Sequence, residues 1–202
     1  ATALDVKVLS RYYGLSQRAQ GDLMSLAVEA RKRGWWQDFR SLDEQTQTYI
    51  GLESAASHVF QVEVVRIPGL LQTADYVRSL VPRLRVPEFW QEGSVEQIIQ
   101  SRLRRQQRLR EGEFSLGVVI DEAALSRRIG HPPLMRDQIR QLIDTAELPN
   151  VKLQITTYDV GSHPGMDDPF TVLSFADDVL QDTVFLESLA GNFIIRADDK
   201  PD

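Results

Sequence analysis

Apolar residues in the first half of the chain recur at helical spacing, and in the second half they change to short runs and alternation. The pattern therefore predicts helices first and strands later. Leu4, Val8, Leu9 and Tyr12 fit a short helix that stops at Gly14. Ser16 is a good N-cap for a second helix, whose stripe is Leu23, Leu26, Ala27 and Ala30. Arg31, Lys32 and Arg33 fall in its last turn, where cations suit the helix dipole, and Gly34 closes it. A third helix runs through Tyr49, Leu52, Glu53 and Ala56, and residues 58–65 (HVFQVEVV) then alternate as a strand. Pro68-Gly69 makes a turn, after which Thr73 caps a short helix through Tyr76 and Val77. The helix over 94–110 opens on a Ser94-to-Gln97 capping-box pattern and turns Val95, Ile98, Ile99, Leu103 and Leu109 inward.

Past Glu113 the period shortens. Residues 116–120 read as a buried strand, followed by a brief helix at 122–125. A longer helix over 133–147 has the stripe Met135, Ile139, Leu142, Ile143 and Ala146. Strands follow at 151–157, 170–175 and 183–186, with a weaker one at 193–196. The strands near 118 and 153 are joined by a helical crossover and can pair in parallel, while the later, closely spaced strands suit antiparallel pairing. The fold class expected is α+β: a helical N-terminal half packed on a small mixed, mainly antiparallel sheet.

Composition narrows the picture. The chain has 202 residues, enough for one large domain without a metal or disulfide staple. It has no cysteine, which removes disulfides, thiolate metal sites and cysteine nucleophiles and agrees with a reducing compartment. With no apolar run long enough to span a bilayer and no signal pattern at the start, the expected location is the cytoplasm, with no membrane partner. Charge is uneven: residues 1–110 hold 16 Lys/Arg against 12 Asp/Glu, and residues 111–202 hold 7 against 17. An acidic second half repels phosphate, so direct binding of DNA by that part is not expected.

Candidate chemistry is sparse. Trp35 and Trp36 either line a ligand pocket, anchor a partner or cap the core. The stretch 161–170 (GSHPGMDDPF) is the most loop-like, and its His163 is either an acid/base group or a residue that fixes its own loop. Three histidines in unrelated surroundings give no metal-ligand spacing, so no metal and no other cofactor is expected. Asp121, Glu122 and Glu187 end strands; they supply a general acid and base if they converge, and Asp121 also fits a helix N-cap. Arg102, Arg104, Arg105, Arg108 and Arg110 read as a solvated helix face or the rim of an interface. No phosphate loop, nucleophile elbow or dinucleotide fingerprint is present in the sequence.

Several motifs carry a resemblance. They include Gly34-Trp35-Trp36, Tyr49-Ile50-Gly51-Leu52-Glu53, Ile67-Pro68-Gly69-Leu70-Leu71-Gln72-Thr73 with Tyr76, and Arg105-Gln106. The second half adds Asp121-Glu122-Ala123-Ala124-Leu125, Pro149-Asn150-Val151, His163-Pro164-Gly165, Pro169-Phe170 and Glu187. Together they resemble the C-terminal domain, of unknown function, that follows an Xre-type helix-turn-helix in actinobacterial transcriptional regulators, some described as antitoxin-like. In that family the loop after His-Pro-Gly is small and apolar; here it is Met166-Asp167-Asp168, which argues against an apolar ligand seated on it.

The resemblance implies a division into residues 1–15, the remnant of the helix-turn-helix unit or a linker helix, and one α+β sensor domain over 16–202. The helical part of that domain is 16–110 and the sheet part 111–202. The DNA-reading unit would lie outside this chain, and DNA would be met only through it. The resemblance further implies a homodimer and a signal that is either a small protein encoded nearby or a small molecule. The recognition surface expected from it comprises Trp36, Glu53, Gly69, Leu70, Leu71, Gln72, Tyr76, Gln106, His163 and Glu187, with no catalytic residue. Two other readings compete. One is a hydrolase or nuclease using Asp121, Glu122, His163 and Glu187, which requires those four to converge; the other is a purely structural dimerisation domain.

Overall fold

The computed structural model describes residues 3–29, 34–84, 94–176, 180–188 and 191–196. Their backbone groups into two compact units, Ala1–Asp38 and Phe39–Asp202. The first holds helices α1 (Ala3–Tyr12) and α2 (Gln17–Glu29), which pack on each other. Ser16 begins α2 as expected, its hydroxyl accepting from the Ala19 amide at 3.3 Å. Helix α1 forms where the Leu4, Val8, Leu9 and Tyr12 spacing places it, with Val8, Leu9 and Tyr12 58, 51 and 82% exposed. The basic turn at 31–33 lies outside the described residues.

The second unit is α+β, as the periodicity predicts. Its elements are α3 (Glu44–Ala55), β1 (His58–Glu63), α4 (Ala74–Leu84), α5 (Ser94–Arg110), β2 (Ser115–Asp121), α6 (Glu122–Ser126) and α7 (Pro132–Ala146), then β3 (Val151–Thr156), β4 (Phe170–Ser174), β5 (Thr183–Ser188) and β6 (Gly191–Arg196). The six strands form one sheet in the order β3-β2-β1-β4-β5-β6. The parallel pairing of β2 with β3 is as expected, and β1 joins them in parallel as well, with Glu63 level with Ile120. The later strands pair antiparallel. Strands β1, β2 and β3 therefore point their carboxyl ends the same way, and β5 runs with them.

Strand alternation sends successive side chains to opposite faces. Val59, Gln61 and Glu63 share one face with Leu116, Val118, Ile120, Thr171, Leu173 and Phe185, all of them buried. Helix α4 packs on both α5 and α7, α7 lies along β3, and the ring of Tyr49 of α3 lies against Phe185 with ring centres 4.5 Å apart. The opposite face carries His58, Phe60, Val119, Phe170, Val172, Val184 and Leu186, all half-buried, and Phe193 and Ile195 on the outer strand, which are exposed.

Two helical stripes and one helix cap differ from expectation. In α5 the buried residues are Ser94, Ile98, Ile99, Ser101, Arg105, Gln106 and Leu109. Leu103 is 39% exposed because Arg105, two residues on and across the helix, takes the inward position. In α7 the buried set is Leu134, Gln138, Leu142 and Thr145, while Ile143 is 56% exposed and Ala146 is exposed. The polar Gln138 displaces the all-apolar stripe because it serves a buried turn. The third difference is at the start of α5, where Gln97 reaches not back to Ser94 but across to Ser41, accepting from its amide at 3.0 Å and its hydroxyl at 2.9 Å.

Candidate functional site at the carboxyl edge of the sheet

The turn after β1 is buried, so its backbone groups need partners from the protein. Pro68-Gly69-Leu70-Leu71 winds into a short 3-10 turn whose Leu70 and Leu71 are core residues. Three glutamines satisfy it. Gln72 donates to the Ile67 carbonyl at 2.6 Å, and Gln106 of α5 donates to the Gln72 carbonyl at 2.7 Å. Gln138 of α7 accepts from the Thr73 amide at 2.7 Å and donates to the Leu71 carbonyl at 2.8 Å. Thr73 then accepts from the Tyr76 amide at 3.2 Å and so begins α4. Arg102 donates to the Gln72 side-chain oxygen, with its guanidinium lying against Gly69.

Beside this turn, two glutamates stand on the helix-covered side of β1 and α3. Glu53 is completely buried and takes two bonds from Arg105, from Nε at 2.7 Å and from a terminal nitrogen at 2.5 Å. The Tyr49 hydroxyl donates to the same carboxylate at 3.0 Å, and the Arg105 guanidinium lies 5.3 Å from the Tyr49 ring centre. Burial alone would lower the Arg105 guanidinium, but the charge and hydrogen bonds of Glu53 outweigh it and hold it above its ordinary value. Burial, then the charge of Glu53, pushes the Tyr49 phenol well up. Arg105 is thus no member of a solvated face; it is the inward partner of a buried acid.

Glu63, at the end of β1, is different. It is 8% exposed, no hydrogen bond reaches its carboxyl group from the described residues, and the Arg66 guanidinium stands 4.0 Å away. Arg66 instead donates to Glu187 at the end of β5. Burial raises the Glu63 carboxyl to about 7, Arg66 and Arg102 pulling it down and Glu187 pushing it up. Tyr76 is fully buried and within electrostatic reach of Glu63, Arg66 and Arg102, and its hydroxyl lies near the Ile67 backbone without a well-formed hydrogen bond among the described residues.

Of the residues singled out from sequence, Glu53, Gly69, Gln72, Tyr76, Gln106 and Glu187 thus gather around the carboxyl edge of β1 and β5, on the helix-covered face. Leu70 and Leu71 form the floor of the turn. Trp36 belongs to the first unit, where its ring meets Trp35 edge-on at 5.9 Å. His163 lies on the other face of the sheet. Its Nε2 is 3.0 Å from the Asp121 carboxylate, and Asp121 also caps α6 by accepting from the Ala123 amide at 2.7 Å. The loop reaches the sheet at Gly165, where a Cβ would fall 2.5 Å from a Val62 methyl, so only glycine fits that approach. Glu122 accepts from the Tyr158 amide at 3.1 Å. The four acid/base candidates are therefore divided: Asp121 and His163 meet on the open face, Glu122 holds a backbone, and Glu187 pairs with Arg66 on the covered face.

Glu63 and Arg66 are members of the cluster that sequence reasoning missed, and Arg102 and Arg105, read from sequence as a solvated face or interface rim, belong to it as well. A signal existed for Glu63, since strand alternation from Val59 and Gln61 points it inward. Arg105 shared the buried phase of α5 with Ile98 and Leu109. Among the described residues, no group of three or more His, Asp or Glu side chains is arranged to hold a metal ion, and no helix is long and apolar enough to cross a membrane. A shallow cleft is lined by Glu44, Gln45, Thr48 and Ile194, none of them a candidate residue.

A family model described as Domain of unknown function (DUF5753) matches residues 46–201, which spans α3 to the last strand and contains every element of the cluster. No curated protein and no solved structure matches the chain. With more than half its length matched by that model, the chain belongs to the DUF5753 family.

Proposed function

We propose that the chain is the regulatory part of an Xre-type helix-turn-helix transcriptional regulator, working in the cytoplasm as a homodimer. It receives a small partner protein or a small molecule and passes the signal to a DNA-binding unit. The motifs that resemble such regulators support this reading, and one structural observation carries it further. Residues chosen on that resemblance, Glu53, Gln72, Tyr76, Gln106 and Glu187, share one polar cluster with Arg66, Arg102 and Arg105. The cluster stands at the carboxyl ends of parallel strands, where open α/β sheets bind their ligands. Glu53 pairs with Arg105 and Glu187 with Arg66, while Arg102 is held by the Gln72 side chain, which suits recognition by exchange of partners more than proton abstraction from a substrate. The division of Asp121 and His163 from Glu187 supports leaving hydrolysis aside.

The homodimer reading draws on the outer strand β6. Phe193 and Ile195 are exposed there, and residues 191–195 carry no charge, whereas the opposite edge strand, β3, presents an exposed Lys152. A lysine blunts an edge against pairing, and an uncharged apolar edge favours it. A second copy added antiparallel to β6 would make a self-complementary contact. Sedimentation should therefore give a dimer for the wild type and a monomer for Ile195→Lys; equal mass for both removes this contact.

The signal is tested by native mass spectrometry of the chain isolated from its own host, with Arg102→Gln beside it. The reading predicts a stoichiometric companion on the wild type that the variant loses. Bare protein under every growth condition, or a companion held equally by both, contradicts it.

A further inference from the structure

The carboxyl edge holds a device that the regulatory reading does not require. Glu63 is buried, no hydrogen bond to its carboxyl group is formed among the described residues, and Arg66, 4.0 Å from it, is already committed to Glu187. A buried carboxylate left this way is poorly compensated when ionised and comfortable when protonated. Arg66 also joins two parts of the sheet, since it follows β1 and reaches β5 across the intervening β4.

We propose that Glu63, Arg66 and Glu187 form a proton-operated latch. With Glu63 protonated, the buried turn 66–72 is held against the sheet; with Glu63 ionised, the turn loosens and admits water. The groups facing Glu63 fit this assignment. Arg66 comes from the turn, Glu187 from β5 and Arg102 from α5, and the Tyr76 phenol comes from α4. Arg66 and Glu187 satisfy each other, and Glu53 and Arg105 do the same behind them. Arg102 is tied to the Gln72 side chain, so it steadies the turn while drawing only part of the Glu63 charge. The Tyr76 hydroxyl, a buried donor without a well-formed bond, is the group that an ionised Glu63 would recruit as the turn shifts.

The sign follows from linkage. The closed form holds its proton up to about pH 7, whereas a hydrated Glu63 releases it near the ordinary value of 4.5. Opening therefore becomes easier as pH rises between those two values, by up to about tenfold per pH unit, and levels off above the upper one. Amide hydrogen exchange measured at matched pH on wild type and Glu63→Gln tests this, because intrinsic exchange cancels between them. The amides at the end of β1 and through residues 66–73 should lose protection in the wild type relative to the variant as pH rises from 5 to 7. Protection at β2 and β3 should stay equal. A constant ratio across that range overturns the latch. Glu187→Gln provides a second check if Glu63→Gln folds poorly: removing that negative charge should move the wild-type transition to lower pH, and an unmoved transition overturns the proposal equally.

Discussion

Two glutamate–arginine pairs lie on the helix-covered face of the sheet, and their surroundings differ. Glu53 and Arg105 meet between α3 and α5 through two short bonds, with Tyr49 closing the remaining side of the carboxylate. Glu63 and Arg66 stand 4.0 Å apart at the sheet edge, no hydrogen bond reaches the acid among the described residues, and the arginine is engaged by Glu187. Both glutamates are buried, so burial alone does not decide what an acid does. Donors decide it. Glu53, given three donors, ties two helices together, whereas Glu63, with no hydrogen-bond donor among the described residues, is pushed towards neutrality by burial.

The largest expected effect comes from breaking the satisfied pair. Arg105→Met leaves Glu53 buried and uncompensated and should destabilise the fold by roughly 3–5 kcal/mol in urea unfolding. Replacing both residues by apolar ones of similar volume should recover most of that loss. Little or no loss from Arg105→Met alone would mean that water already reaches Glu53.

The second effect concerns the unsatisfied acid. Because the folded state holds the Glu63 proton up to about pH 7 and the unfolded chain does not, stability should fall as pH rises from about 4.5 to about 7. The full difference between wild type and Glu63→Gln across that range is roughly 3 kcal/mol. Above pH 7 the variant should be the more stable protein. Parallel pH–stability curves for the two would erase the distinction between the pairs.

The smallest effect is at the exposed end of the edge pair. Arg66 and Glu187 are 33 and 50% exposed, so Glu187→Gln should cost between zero and about 1 kcal/mol, less in high salt. A salt-insensitive loss of several kcal/mol would show that Glu187 is structural in the way Glu53 is.

Much of the fold was legible from periodicity, including α5 over residues 94–110 and the parallel pairing of β2 with β3. What misled were polar residues at core positions. The Met135, Ile139, Ile143 pattern set the phase of α7, yet Gln138 holds the inward place because a buried turn from distant sequence needs its amide. Arg105 read as one of five arginines on a wet face, since nothing local reveals that Glu53 waits 52 residues earlier. At the candidate site the resemblance picked out Gln72, Tyr76, Gln106 and Glu187, while Glu63 and Arg66 escaped attention because neither belongs to a quoted motif. His163 and Glu187 were grouped as one candidate constellation, but strand parity puts Asp121, the partner of His163, on the face opposite Glu187, a distinction that depends on register and not on residue type.

The most direct test of the difference between the two pairs is a carbon-detected NMR titration of the glutamate carboxyl groups, with Glu63 assigned through Glu63→Gln. The structure predicts that Glu63 titrates near pH 7. A Glu63 midpoint near 4.5 would mean that its carboxyl group is hydrated in solution, and the contrast with Glu53 would collapse.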